Sequence, residues 1–192
     1  SASNSSLPLV CTLNAARVMD SFAKLLDVSH VELGQLALRA ESGSGGVVLV
    51  PYFEGERTPN LPDATAELVG LTLANNTREN IARAAIEGML CGLNAGLDAL
   101  VTAGVACSRI FLVGGAGANP AVQVIAGEIF GVPVVIAEPG EYVANGAARQ
   151  AAQLVLGSAP AWSIATIGTV SSPQAVNVIE NYRKAAAFAA SR

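Results

Sequence analysis

The stretch that most constrains the fold is Arg109-Ile-Phe-Leu-Val113 running directly into Gly114-Gly-Ala-Gly-Ala-Asn-Pro120. A run with buried-strand character stops at glycines, and a helix begins almost at once, with Asn119 placed as its N-cap and Pro120 at its first position. Such a junction belongs to α/β architecture. It also lets a backbone approach an anionic ligand closely, because glycine has no Cβ and a helix start presents unpaired N–H groups. By itself the pattern narrows the ligand only to a phosphate or a nucleotide.

The residues around the junction exclude several classes. The chain has 192 residues, 52% apolar and only 14% charged, enough to bury one substantial core and too apolar for a disordered chain. One domain is expected, with some apolar surface left over for a partner. A net charge of −4 and scattered Lys and Arg give no footprint for nucleic acid. Cys11, Cys91 and Cys107 lack ligand-like spacing and sit among apolar neighbours, which reads as reduced core thiols of a cytoplasmic protein. The uncharged runs 110–127 and 150–179 are broken by Gly, Pro or Ser, so neither reads as a membrane span. Ser1-Ala-Ser-Asn-Ser-Ser6 shows no secretory pattern and no initiator Met, and a chain cut from a longer one is the expectation.

Ahead of the junction, Leu7 to Leu13 reads as a short strand entering a helix capped by Asn14, with Ala15, Val18, Met19, Phe22, Leu25 and Leu26 on its core face. Ser29-His-Val-Glu32 has the capping-box pattern and opens a second helix to about Ala40; His30, the sole histidine, reads as a surface residue of its first turn. A flexible connection over 41–46 leads to a buried strand over Val47 to Phe53, and Glu67 to Thr72 reads as another. Asn76 to Glu79 caps the longest helix, whose stripe is Ile86, Leu90, Leu93, Leu97 and Leu100 and whose stop is Gly104.

Beyond the junction, Gly131 ends a helix, 132–137 is a strand, Tyr142 to about Leu156 is a helix, and 157–172 is a loop around Trp162. A closing helix then uses Val176, Ile179, Tyr182 and Ala186. The helix from Tyr142 is rich in Ala and Gly, which suits close packing on a neighbour or on a flat ligand. The alternation of helix and strand predicts parallel strands joined by right-handed crossovers, with the ligand edge at their carboxyl ends. The charged loop Glu54-Gly-Glu-Arg-Thr-Pro59 reads either as a substrate or hinge loop, or as a structural turn in which Glu54 or Glu56 pairs with Arg57.

Four motifs, in order and spacing, then carry a resemblance. Pro51-Tyr-Phe-Glu-Gly-Glu-Arg-Thr-Pro59, Gly70-Leu71 followed by Asn80-Ile-Ala-Arg-Ala-Ala-Ile-Glu87, Gly114-Gly-Ala-Gly-Ala-Asn119 and Gly146-Ala-Ala148 resemble the C-terminal half of the FGGY carbohydrate kinases, from about Leu9 to Leu156. Within that family the likeness is to bacterial xylulokinases. The resemblance implies an α/β, actin-like ATPase (ribonuclease H-like) fold, with residues 1–192 forming the C-terminal nucleotide-binding domain of a two-domain sugar kinase. It implies ATP, with Mg2+, in a cleft between domains, where Gly114, Gly115, Ala116, Gly117 and Ala118 lie near the phosphates and sugar and Asn119 lies near the adenine. The reaction implied is transfer of the γ-phosphoryl to a ketopentose, D-xylulose giving D-xylulose 5-phosphate.

The family's Asp-Gly-Thr phosphate turn, its catalytic Asp base and the Gly-Thr hairpin that opens its C-terminal domain are not found in this sequence. No catalytic residue and no metal ligand is therefore assigned to the chain. The N-terminal domain is the expected partner, and the chain alone is expected to be inactive. A stand-alone actin-like nucleotide-binding module, and a kinase of the same family acting on another sugar or polyol, stay open. A dinucleotide-dependent oxidoreductase fits poorly, since the glycines lack the GxGxxG spacing and the nearest acids are Glu138 and Glu141. The apolar composition adds one more expectation, an exposed apolar edge and a homodimer.

Overall fold

The computed structural model describes residues 9–191. The hexapeptide Ser1 to Ser6, and Leu7 and Pro8 of the first expected strand, lie outside them. Residues 9–13 form no strand: Thr12 and the Leu13 N–H bond to the Glu56 carboxylate instead of a ladder. Helix α1 spans Ala16–Leu26 and buries Val18, Met19, Phe22 and Ala23, while Leu25 faces solvent. Asn14 is not its cap. The helix starts after Ala15 without a side-chain cap, because both polar atoms of Asn14 are committed to the 53–56 loop. Helix α2, His30–Arg39, carries the full capping box between Ser29 and Glu32. His30 is exposed and pairs with Asp20 at 2.9 Å.

Segment 41–46 is a built turn rather than a flexible connection. The Gly43 N–H and the buried Ser44 hydroxyl both donate to Glu87, at 2.9 and 3.0 Å. Strand β1, Val48–Val50, follows and pairs antiparallel with β2, Glu67–Val69, in a two-stranded sheet. Helix α3, Arg78–Thr102, is the centre of the domain. Its first half is buried all round, from Ala82 to Cys91, so the expected single stripe describes only its second half. At Gly88 the β1 backbone lies directly on α3, and a Cβ there would run into the Leu49 carbonyl. Thr77, not Asn76, caps α3, accepting from the Asn80 N–H at 3.2 Å. Gly104, with φ of +90°, closes the helix as expected. Among the described residues α3 alone is long and apolar enough to cross a membrane, and half of that window is inside the core.

Inside this core sits an ion network. Arg83 donates to Glu87 at 2.7 Å and also to Glu128, which satisfies charges that would otherwise be costly to bury. Burial pushes the Cys91 thiol up to about 12, in keeping with an unreactive core thiol.

Strand β3, Ile110–Leu112, pairs parallel with β4, Val134–Ala137. Between them runs α4, Pro120–Phe130, ended by Gly131 and buried through Val122, Ile125 and Ile129. The parallel expectation fails at the next strand. Residues 157–172 are not all loop, because Thr166–Val170 forms β5, antiparallel to β4. Its five residues are largely exposed, so no alternation marked them as a strand. β3 is also less buried than its apolar sequence suggests, with Phe111 38% exposed beneath the Arg109 guanidinium.

Helix α5, Tyr142–Leu156, has the expected bounds but none of its 15 residues is buried. Helix α6, Val176–Ala189, returns to the core through Ile179 and Tyr182, while Val176 stays exposed. The α/β class and the layout of a sheet backed by α3 and α4 place the carboxyl ends of β3 and β4 at one edge.

Candidate functional site

At that edge β3 ends in Gly114, whose φ of +93° reverses the chain into a short turn over Gly115–Ala118. The Gly117 N–H closes on the Gly114 carbonyl at 3.1 Å, and Gln123 fastens the turn to α4 through the Gly117 carbonyl at 2.9 Å. Glycine is needed at Gly114 for its left-handed φ. At Gly117 it is needed for packing, since a Cβ would sit 3.0 Å from Leu112. At Gly115 neither reason applies: φ is outside the left-handed range and nothing lies within 4 Å of the place a Cβ would occupy. The open side of Gly115 faces a groove of about 620 Å3, within the size range of small-molecule sites.

The groove gathers most of the glycine stretch in one place. Gly114, Gly115, Gly117 and Ala118 line one wall, and Glu138 to Val143 form the other, where β4 passes into α5. Ala116 lies in the same turn, packed half-buried against the core. Asn119 stands just behind. Its Oδ1 accepts from the Ala121 N–H at 2.9 Å and caps α4, while its Nδ2 donates to the His30 carbonyl at 2.8 Å and ties α4 to α2. The N-cap expectation holds, and the side chain also fills the space above Gly34, where a Cβ would meet its Oδ1 at 2.5 Å.

The charged loop is a separate cluster. Glu56 is buried and accepts from Thr12 Oγ1 at 2.6 Å, Asn14 Nδ2 at 3.1 Å and the N–H groups of Leu13, Arg57 and Thr58. Burial opposes its ionisation, but the bonds from Thr12, Asn14, Arg57 and Leu13 outweigh it and hold the carboxyl below the usual range. Glu54 pairs with Arg17, at 2.7 and 2.9 Å. Neither acid pairs with Arg57, whose side chain is exposed, so the expected partner is corrected while the structural character of the turn stands. The loop clamps residues 12–14 and lines a different, smaller groove with Arg17 and Phe53.

Several contributors were not picked out as site residues from the sequence. Glu138, Glu141 and Tyr142 line the glycine groove. Their signal was positional, since they follow a strand parallel to the one that ends in the glycines. Thr12 and Asn14 gave no signal, because their partner lies some forty residues on, across the fold. Among the described residues no three His, Cys, Asp or Glu side chains converge as a metal site.

Comparison with known proteins shows what the chain is similar to. Residues 12–155 match the model of the FGGY family of carbohydrate kinases, C-terminal domain. The chain is 37% identical over 151 residues to a xylulose kinase of Haemophilus influenzae, covering 79% of this chain and 31% of that protein. A glycerol kinase of Alkalilimnicola ehrlichii is 40% identical over 129 residues, 66% of this chain and 26% of its own length. In structure the chain is similar to the xylulose kinase from Bifidobacterium adolescentis, with a TM-score of 0.84 and 44% identity over 93% of this chain and 36% of that one. The chain thus spans about a third of the length of these relatives.

Proposed function

The chain belongs to the FGGY family of carbohydrate kinases, whose C-terminal domain it matches, and from that premise we propose that it is the nucleotide-holding domain of an ATP-dependent ketopentose kinase. The proposed substrate is D-xylulose, phosphorylated on its 5-hydroxyl, because xylulose kinases recur among the relatives. A glycerol kinase matches at similar identity, which keeps another polyol as the second reading.

The observation that carries the proposal is Gly115, a glycine that the fold itself does not require, opening on the groove at the carboxyl ends of two parallel strands. A bare backbone there lets a nucleotide approach the Gly114–Ala118 turn closely. In this reading the turn orients the nucleotide and Asn119 holds the turn's far end in register with α2. Mg2+ enters as part of the MgATP substrate, carried by the phosphates. The base for the sugar hydroxyl comes from the N-terminal domain, and α5, none of whose residues is fully buried among the described residues, packs against that domain. A 15-residue helix has little stability of its own in water.

The test is titration calorimetry of the chain with ATP and with NAD, alongside a coupled ADP-release assay with MgATP and D-xylulose. ATP binding without turnover is expected. NAD binding in preference to ATP overturns the nucleotide assignment, and robust turnover by this chain overturns the division of labour.

A further inference from the structure

We propose that Tyr142 is the aromatic wall of the glycine groove, the surface on which the base of a bound nucleotide stacks. The inference rests on the nucleotide reading above and extends it to a residue and to a part of the ligand.

Tyr142 is the one aromatic side chain among the described residues lining this groove, opposite Gly114 and Gly115. Its ring is tethered at one point, where the hydroxyl donates to the Glu138 carbonyl. That fixation serves no core. Tyr52 and Tyr182 are buried at 5% and 3% exposure, whereas Tyr142 opens a helix that buries none of its residues. A flat ring tethered beside the groove offers a face to a flat ligand.

The charges point to the same part of the nucleotide. Among the described residues no Lys, Arg or His lines the groove, and Glu138 and Glu141 do. A polyphosphate finds no side-chain counter-charge there, while an uncharged nucleoside meets Val113, Val143, Ile167 and the tyrosine ring. The groove therefore reads the base and sugar, and the phosphates add little to affinity within this chain.

Calorimetry of the 192-residue chain with adenosine, ADP and ATP, repeated on Tyr142→Phe, Tyr142→Trp and Tyr142→Leu, tests this. Adenosine is expected to bind within about threefold of ATP, and the Phe and Trp variants, which keep a flat face, within about threefold of the parent. Tyr142→Leu is expected to weaken adenosine by about tenfold or more, the scale of one base–aromatic stack, with its melting midpoint unchanged. Undiminished adenosine binding by Tyr142→Leu overturns the proposal, as does a loss that comes with a lowered midpoint. ATP binding more than about thirtyfold tighter than adenosine overturns the base-and-sugar assignment and leaves the nucleotide reading intact. Binding of none of the three removes the nucleotide reading and this inference with it.

Discussion

Replacing Glu56 with glutamine is expected to destabilise the domain by about 3 kcal/mol, although only one oxygen changes. The carboxylate is 4% exposed and gathers five donors: Oε2 takes Thr12 Oγ1 and Asn14 Nδ2, and Oε1 takes the N–H groups of Leu13, Arg57 and Thr58. An amide placed at Oε2 faces the Asn14 amide donor to donor, and one placed at Oε1 faces three backbone N–H groups. Hydrogen bonds to a buried charge contribute about 1.5–3 kcal/mol each and an unsatisfied buried donor costs about 1–3 kcal/mol, so the loss of charge assistance plus one clash gives the stated figure. In a domain of this size that lowers the thermal midpoint by about 6–12 °C, read by calorimetry at neutral pH.

The pH dependence has a definite sign. The folded carboxyl lies below its unfolded value, so the unfolded chain takes up the proton first. The stabilisation is fully present above the unfolded pKa of about 4.3 and is lost as pH falls through the folded value. Glu56→Gln should flatten that acid limb. Glu54→Gln, which loses only the exposed pair with Arg17, should leave both midpoint and acid limb close to the parent. Equal midpoints for the two variants refute the reasoning.

Three further outcomes follow from the glycines and the exposed face. Gly88→Ala drives a methyl into the Leu49 carbonyl and should cost about 1–3 kcal/mol in urea unfolding, or prevent folding. Gly115→Val has room in the fold, so its midpoint should stay near the parent value while ATP affinity in calorimetry falls. Val143, Leu154 and Val155 are each at least 85% exposed on α5, and sedimentation velocity should show concentration-dependent self-association, weakened by Leu154→Glu.

The legible parts of this fold were those whose information is local. The capping box at Ser29, Pro120 after Asn119 and the αL glycine at 131 fixed helix ends within a residue, because the groups that satisfy those ends lie within a turn of them. The misread parts were decided across the chain. Asn14 had every local quality of a cap, yet the backbone of residues 53 and 55 and the Glu56 carboxylate claimed its amide. Ser44 sat among glycines that read as flexible, and Glu87 in α3, the next helix, locks it. β5 has few buried side chains to impose a period of two, and only β4 beside it makes it a strand. At the glycine groove the first wall was legible, since glycines after a strand are a local signal. The second wall was legible only by position, since the expected parallel strands bring Glu138 to Tyr142 to the same carboxyl edge while nothing in those side chains marks them as lining.

Asn119 carries two demands at one position, and its substitution separates them. Its amide oxygen caps α4 and its nitrogen bonds the His30 carbonyl, leaving one N–H and a lone pair for any ligand. Losing the cap costs about 1 kcal/mol, and losing the second bond about as much again. Asn119→Ala should therefore lower the midpoint by about 4–8 °C. Asn119→Ser keeps an oxygen for the cap but cannot reach across to α2, so about half of that loss should return. If the residue also touches the adenine, nucleotide affinity should fall equally in both variants, because neither retains the amide N–H. Affinity that instead tracks stability, falling in Asn119→Ala and recovering in Asn119→Ser, means that the side chain serves the groove only by holding the turn in place.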